Sequence, residues 1–258
     1  MAFRSVGSMN LARFNSSTSC EFLEAYESFR DNQIQESILS KPHQTFAPSS
    51  FRCDRRSWFR LRGTEPDKLK TPDKILDFTA KIGTACHRII QSDLKNMLKG
   101  QWIAVKDFLT ANPIPYEYEI EEDDESGETK ISIKSPPINF AVDGIIFWNG
   151  EYYLLEIKTS EYNSFKDLAN PKDEHLDQVK CYATMLGISK VLFLYEDRLY
   201  GELKCYEIIV KDIEKIQIKD RMDYILKCVD ANIAPDRLPT GDKWCNNCPY
   251  SIKCKQWG

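Results

Sequence analysis

Two β-prone runs stand out in the hydrophobic pattern of this chain, and they meet at Asn149-Gly150. Residues 140–148 form the first run and residues 151–158 the second. Asn-Gly between such runs is the strongest short-range signal for a type I′ β-hairpin. Counting outward from a two-residue turn pairs Trp148 with Glu151, Phe147 with Tyr152, Ile145 with Leu154 and Asp143 with Glu156. Both faces are largely apolar, so we expect a central strand pair that is covered on both sides.

The remaining periodicities predict helices and strands around this pair. Helices are expected from Thr18 until the Lys41-Pro42 stretch and at residues 81–98, 171–187 and 212–230, and strands at residues 116–120, 130–133, 190–195 and 202–210. The order strand, helix, strand after the hairpin predicts a right-handed βαβ crossover with parallel strands. The expected fold class is α/β, with a mixed central sheet flanked by helices.

One end of the hairpin carries three charged side chains on a single face. Asp143 and Glu156 oppose each other, and Lys158 lies two residues beyond Glu156. Opposed like charges destabilise a sheet unless something compensates them, and a divalent cation would do so. The alternative is an ordinary hairpin with a solvated end, in which Lys158 neutralises the acids. We favour a metal site beside a cation.

Two helices carry further candidate residues. His87 begins an apolar face that Ile90, Leu94 and Met97 continue, and a single histidine in that position is more often a core residue than a ligand. Gln178 and Tyr182 are four residues apart and share a helix face. That face could support a site or simply pack on the sheet.

Residues 49–63 are rich in arginine and contain three aromatic side chains. Guanidinium groups suit phosphates and the aromatic rings can stack or pack, so we expect DNA contacts here. The candidates are Arg52, Arg55, Arg56 and Arg60. The alternative is a solvated basic helix with its aromatic residues in the core.

Composition limits these options. The 258 residues include 35 basic and 39 acidic side chains, so any DNA groove depends on local charge. The sequence shows neither a long apolar run nor a secretory signal pattern, which predicts a soluble cytoplasmic protein with no membrane partner. The first 19 residues are poor in acids and fit a frayed terminus, or alternatively a mitochondrial transit peptide.

The cysteines indicate a second metal centre. Nine cysteines in an intracellular chain point to metal ligation and free thiols rather than disulfides. Cys245, Cys248 and Cys254 form a C-x2-C-x5-C pattern, which supplies three thiolates where four are normally required. The fourth must therefore come from elsewhere in the chain.

These features together resemble the PD-(D/E)XK nuclease superfamily, in particular the RecB-like branch and its CRISPR-associated exonucleases. The resemblance covers about residues 49–257. Five elements occur in the family's order: an upstream cysteine, a Gly-x-x-x-His helix, an Asp and Glu-x-Lys hairpin, a Gln-x-x-x-Tyr helix and a terminal cysteine triplet. Each is weak alone, and their joint occurrence carries the resemblance.

The resemblance implies a role for each of these residues. His87, Asp143, Glu156 and the carbonyl of Ile157 would bind Mg²⁺ or Mn²⁺, and Lys158 would orient the attacking water or stabilise charge. Gln178 and Tyr182 would hold the DNA backbone and support the active site. Cys53 would join Cys245, Cys248 and Cys254 around a [4Fe-4S] cluster, although four thiolates also suit zinc.

The expected organisation is an N-terminal extension at residues 1–45 followed by a RecB-like nuclease domain at residues 46–258. The extension would contain one amphipathic helix whose Phe22, Tyr26 and Phe29 pack, and Cys53 with residues 240–258 would form a metal-cluster subdomain.

The expected function is a metal-dependent DNA exonuclease acting on single-stranded ends in repair, recombination, or phage or foreign DNA processing. The alternatives are a non-catalytic DNA-end-binding subunit and a structure-specific endonuclease of the same fold. The sequence shows no helicase motif, so a helicase or recombination partner would have to supply any unwinding.

Overall fold

The computed structural model of the chain describes residues 17–39, 44–67, 73–122, 127–246 and 248–257. Its helices are α1 (Ser17–Leu39), α2 (Asp54–Leu61), α3 (Lys74–Leu98), α4 (Val105–Ala111), α5 (Tyr162–Lys166), α6 (Asp173–Leu186), α7 (Asp212–Asp230) and α8 (Ser251–Gln256). Its strands are β1 (Trp102–Ile103), β2 (Tyr118–Glu122), β3 (Thr129–Ile133), β4 (Ile138–Val142), β5 (Gly144–Trp148), β6 (Glu151–Ser160), β7 (Lys190–Asp197) and β8 (Leu203–Ile209).

Two sheets organise the fold. The central sheet has the strand order β1-β5-β6-β7-β8, and β2, β3 and β4 form a smaller antiparallel sheet. In the central sheet β6 and β7 are parallel, whereas the other neighbouring pairs are antiparallel. This mixed central sheet flanked by helices confirms the predicted fold class.

The predicted hairpin is formed by β5 and β6. The structure pairs Trp148 with Glu151, Phe147 with Tyr152 and Ile145 with Leu154, which is the predicted register. Asn149 and Gly150 have φ angles of 51° and 85°, the positive values that a type I′ turn requires. Local turn chemistry therefore set this register correctly.

The apolar run before the turn forms two strands rather than one. β4 belongs to the small sheet and β5 to the central sheet, and Asp143 lies at the bend between them. A Cβ atom added to Gly144 would lie 2.6 Å from the Trp102 ring, so the ring packs directly on the backbone there. The two strands have the same apolar composition, and composition alone therefore did not reveal the switch between sheets.

Helices cover both faces of the central hairpin. On one face, Ile90 of α3 packs with Leu155 and Ile157 of β6. On the other, Leu154 joins the main core, to which α6 contributes Val179. The α6 helix follows β6 and leads into β7, which confirms the predicted βαβ unit.

Several side chains assigned to packing are exposed instead. α1 is a helix as predicted, but Phe22, Tyr26 and Phe29 are 74%, 53% and 56% exposed. Ion pairs connect α1 to α3, including Arg30 with Asp77. This prediction was wrong because helical spacing indicates a shared face without showing what covers it.

Two smaller corrections concern α3 and the segment after β6. Leu98, rather than Met97, packs with Ile146 and Tyr153 at the end of α3. The segment after β6 contains the short helix α5, which the sequence did not predict, and its Phe165 is buried in the main core. Among the described helices, none has an apolar stretch long enough to cross a membrane.

Candidate active site

Asp143 is held at the bend where the two sheets separate. The backbone N–H of Ile157 donates to its Oδ2 over 2.6 Å, and Nε2 of Gln91 donates to its carbonyl oxygen over 2.8 Å. Nδ1 of His87 lies 3.2 Å from Oδ1. Backbone and side-chain donors from β6 and α3 thus hold this buried carboxylate in one orientation.

Glu128 completes a group of three potential metal ligands. One ligand atom from each of His87, Glu128 and Asp143 lies within 4.8 Å of the other two. The register explains this, because Thr129 pairs with Val142 and the next position on each strand is Glu128 and Asp143. Glu128 was not among the residues that the sequence indicated as metal ligands. The signal that could have found it was the strand register, counted back from Asp143.

Without a metal, His87 is shared between two acids. Burial lowers the pKa of His87, but hydrogen bonds with Asp143 and Glu128 outweigh burial and raise it to about 9. The ring is therefore a cation at neutral pH in this arrangement. A divalent ion binds neutral imidazole and carboxylates, so it would take the place of this proton.

Glu156 and Lys158 form a buried pair beside this group. Oε1 of Glu156 lies 2.5 Å from Nζ of Lys158, and the Glu156 side chain is 2% exposed. Burial raises the pKa of Glu156, although Lys158 opposes this effect. Burial lowers the pKa of Lys158, but Glu156 and Asp143 outweigh it, so the net shift is upward. The ammonium group thus stays charged next to two acids.

Gln178 and Tyr182 interact with each other on α6, as their spacing predicts. Nε2 of Gln178 donates to the Tyr182 hydroxyl over 2.5 Å. The Tyr182 ring is buried and stacks on Phe140 of β4, with ring centroids 5.1 Å apart. Tyr182 therefore connects α6 to the small sheet, and Gln178 supplies a hydrogen bond to its hydroxyl.

His175 and Tyr195 form a second polar pair, which was not predicted from the sequence. Nδ1 of His175 lies 2.7 Å from the Tyr195 hydroxyl. Tyr195 is the partner of Lys158 in the parallel register of β6 and β7. The available signal was the position of His175 on α6, three residues before Gln178.

A cavity of about 380 Å³ opens beside the three-ligand group. Its lining includes Asp143 and Glu128 together with Lys95 and Trp102. The group of potential ligands is therefore accessible from one side.

Comparison with known proteins identifies the fold and nothing finer. No family model and no curated protein matches this sequence. The crystal structure of SSO0001 is similar with a TM-score of 0.53 at 20% identity, over 91% of this chain and 98% of that one. The two chains share a fold.

Two structures of LHK-Exo are more distant. The complex of LHK-Exo with dAMP has a TM-score of 0.45 at 14% identity, over 78% of this chain and 93% of that one. The alkaline exonuclease LHK-Exo from Laribacter hongkongensis has a TM-score of 0.42 at 12% identity, over 76% and 93%. Both scores are too low to carry an argument about this chain.

The arginine-rich segment has both packing and surface positions. Arg55 is buried, and its Nε donates to the carbonyl of Pro235 over 2.7 Å. It lies three residues before the buried Trp58, on the inward face of α2, so the expected DNA contact is corrected for Arg55. Arg52, Arg56 and Arg60 are less buried and remain candidates. Arg52 lies 3.5 Å from Asp177, and Arg60 donates to the carbonyl of Thr45.

The four cysteines predicted to bind a cluster line one cavity of about 540 Å³. Burial raises the pKa of the Cys248 thiol, and the nearby Cys53 and Cys254 raise it further. In the part of the chain that the structure describes, no three of their sulfur atoms lie within 4.8 Å of one another. Four thiolates on one zinc ion, at about 2.3 Å each, would be only about 3.8 Å apart. The arrangement is therefore not a preformed zinc site.

Aromatic packing brings the two cysteine-bearing segments together. The Phe59 ring of α2 stacks on Tyr250 at 5.3 Å, and Trp58 contacts Trp257 at 5.2 Å. Nζ of Lys253 also donates to the carbonyl of Glu65 over 2.7 Å. Protein contacts thus bring the C-terminal segment, residues 248–257, beside the segment that carries Cys53.

Proposed function

We propose that this protein is a divalent-metal-dependent deoxyribonuclease of the RecB-like PD-(D/E)XK type, acting as an exonuclease on single-stranded DNA ends. The observation that carries this proposal is the group of His87, Glu128 and Asp143 beside the Glu156–Lys158 pair. An imidazole and carboxylates around a cavity, next to a buried ammonium group, form a site for hydrolysis of an anionic substrate.

The donor set fits Mn²⁺ or Mg²⁺. His87, Glu128 and Asp143 would hold the ion, with Glu156 and the carbonyl of Ile157 as further ligands. When bound, the ion polarises the scissile phosphate and lowers the pKa of a water molecule. Glu128 thus joins the ligands that the family resemblance implies.

The side chains around the ion have separate roles in this proposal. Lys158 stabilises negative charge that develops on the phosphate, and its burial strengthens this interaction because little water screens it. Gln178 and Tyr182 support the floor of the site near Glu156. Arg52, Arg56 and Arg60 contact the DNA backbone away from the reacting phosphate.

We further propose that Cys53, Cys245, Cys248 and Cys254 bind a [4Fe-4S] cluster, with zinc as the alternative. The four residues line one cavity, and each thiolate of such a cluster binds a different iron atom, so the thiolates need not converge on one point. The cluster would join the two ends of the nuclease domain, residues 46–258, and a helicase or recombination partner would supply duplex unwinding. Anaerobic purification with iron and sulfide quantification tests the cluster.

The deciding experiment compares linear and circular single-stranded DNA, with the linear strand labelled at one end. Wild-type protein with Mn²⁺ or Mg²⁺ should degrade only the linear strand, and Lys158→Ala should reduce the rate by about 100-fold or more, as loss of a transition-state donor does. Lys106→Ala, an exposed lysine on α4, should retain the wild-type rate.

Two results would contradict the proposal that the protein is an exonuclease. Cleavage of the circular strand would identify a structure-specific endonuclease instead. No cleavage by folded, metal-loaded protein would leave a DNA-end-binding subunit as the better account.

A further inference from the structure

His175 sits at the start of α6 with one ring nitrogen engaged. Its Nδ1 lies 2.7 Å from the Tyr195 hydroxyl, and the two rings are stacked with an interplanar angle of 30°. Tyr195 is 1% exposed and belongs to β7, so its hydroxyl is held by the central sheet. The imidazole is therefore fixed in position by a rigid neighbour.

The hydrogen bonds of Tyr195 determine which nitrogen of His175 carries the proton. The backbone N–H of Lys172 donates to the hydroxyl oxygen over 3.4 Å. Within the described chain, the acceptor in reach of the hydroxyl hydrogen is Nδ1 of His175. Nδ1 then accepts, and a neutral imidazole must carry its hydrogen on Nε2.

Neutrality of the ring follows from its surroundings. Burial lowers the pKa of His175, and the nearby ammonium groups of Lys158 and Lys172 lower it further, to about 3. His175 is therefore a donor without charge at neutral pH. Its Nε2–H has no acceptor among the described residues.

The surroundings of His175 favour an anion. Lys158 and Lys172 supply positive charge, and His175 lies in the first turn of the 14-residue helix α6, the positive end of the helix dipole. Asp173 and Glu174 belong to the same turn, exposed and half-buried respectively, but the charges that shift the pKa of His175 are those of the two lysines. A phosphate bound at Lys158 would therefore lie near the imidazole, whose unengaged nitrogen is Nε2.

We propose that His175 binds substrate: its Nε2–H donates a hydrogen bond to a phosphate oxygen of the DNA strand held at Lys158, and Tyr195 fixes the tautomer that makes this possible. The inference rests on the proposed nuclease function and adds a residue that contacts the substrate. It requires neither a proton transfer nor a change in charge on the ring.

Two amide substitutions separate this role from packing. The amide of Asn occupies the place of Nδ1, so His175→Asn keeps the contact with Tyr195 and loses the outer donor. The amide of Gln reaches the place of Nε2, so His175→Gln keeps the outer donor and weakens the contact with Tyr195. A hydrogen bond to a charged group contributes about 1.5–3 kcal/mol, which corresponds to roughly 10- to 100-fold in affinity or rate.

The experiment measures cleavage of an end-labelled single-stranded oligonucleotide with Mn²⁺, and binding of the same oligonucleotide with Ca²⁺ in place of Mn²⁺. We expect His175→Asn to lose roughly 10- to 100-fold in kcat/KM and in affinity, and His175→Gln to stay within a few-fold of wild type. The reverse order, with Gln impaired and Asn normal, would assign His175 to packing against Tyr195 and overturn the proposal.

The binding measurement distinguishes failure of the nuclease proposal from failure of the His175 proposal. If wild-type protein binds the oligonucleotide without cleaving it, the nuclease proposal fails, while the affinities of the two variants still decide the role of His175. If wild-type protein cleaves and both variants match it, only the His175 proposal fails. If wild-type protein neither binds nor cleaves, both fail.

Discussion

Asp143 combines a structural role with the ligand role that we propose for it. Its carboxylate accepts from the backbone of Ile157, faces His87 and lies one position beyond the last paired residue of β4. A donor on the neighbouring strand fixes one oxygen while the other faces a ligand. The proposed metal site would therefore need little rearrangement to bind an ion.

Glu128 tests whether the three-ligand group is the metal site. Glu128→Gln replaces the proposed carboxylate ligand with a neutral amide of similar size, so the affinity for Mn²⁺ and the cleavage rate should both fall by roughly 10-fold or more. Calorimetric titration with Mn²⁺ and the end-labelled assay measure these effects. Glu121→Gln, which changes an exposed acid on β2, should alter neither. Equal affinities of Glu128→Gln and wild type would exclude Glu128 as a ligand.

Gly144 tests the close packing at the switch between the sheets. Gly144→Ala places a methyl group 2.6 Å from the Trp102 ring and should lower the free energy of unfolding by about 1–3 kcal/mol. In a Trp102→Leu background the same substitution should cost much less, because the ring is gone. Urea unfolding of the four proteins measures both. If the stability losses of Gly144→Ala and Trp102→Leu were additive in the double variant, the Trp102 ring would not be the reason that residue 144 must be glycine.

His175 also predicts a pH dependence of stability. Its pKa is about 3 in the folded protein and 6.5 for an ordinary solvent-exposed histidine, so the unfolded state binds more protons between these values. The contribution is present above pH 6.5 and is lost as pH falls toward 3. From pH 7 to pH 5 wild type should lose roughly 2 kcal/mol relative to His175→Gln. Urea unfolding at both pH values measures this difference. If the difference between wild type and His175→Gln were the same at pH 7 and pH 5, the conclusion that the His175 ring is neutral in the folded protein would be wrong.

At the scale of elements, the β5–β6 hairpin positions the charged side chains of the candidate site. A tight turn and period-two alternation bring Glu156 and Lys158 to the same face as Asp143, with apolar residues toward the turn. The parallel neighbour β7 then places Tyr195 beside Lys158. Charged residues on several elements therefore meet at one end of a sheet that is otherwise apolar.

The turn of this hairpin can be tested with two glycines in equally open surroundings. An added Cβ meets nothing within 4 Å at Gly150 or at Gly100, but only Gly150 has a positive φ. Gly150→Ala should destabilise the protein by about 1 kcal/mol or more, and Gly100→Ala by much less, because an L-residue is strained at positive φ. Chemical unfolding compares them. Equal losses would mean that the turn conformation does not restrict residue 150.

At the scale of the whole molecule, the C-terminal segment returns to α2 and adds to the main core. Tyr250 is 3% exposed and stacks on Phe59, whereas Trp257 is 42% exposed. The contact joins residues far apart in the chain, so it closes a long loop. The two cysteine-bearing segments are adjacent for this reason.

The loss of stability caused by substitutions in this segment should increase with the burial of the residue that is replaced. Tyr250→Ala should lower the free energy of unfolding by about 3 kcal/mol, as loss of a buried aromatic ring does, and Trp257→Ala should have a smaller effect. Thermal and urea unfolding of metal-free protein measure the contribution of packing alone. If neither variant loses stability, packing does not hold the segment in place.

Much of the architecture around the site could be predicted from the sequence because it follows local rules. The Asn149-Gly150 turn determined the register of the hairpin, and its apolar faces indicated a central strand pair. The helix after β6, with Gly187 at its end, indicated the parallel crossover. These features depend on residues close together in the chain, where spacing carries the information.

The tertiary structure alone decided which distant residues meet. His87 and Asp143 are 56 positions apart, and His175 and Tyr195 are 20 apart, so no turn or period connects either pair. Glu128 became a potential ligand through the pairing of β3 with β4, and the buried Arg55 found its hydrogen-bond acceptor at Pro235, 180 residues away. In each case burial and long-range packing assign the role, because a residue's type shows the chemistry it can perform but not the neighbours it will have.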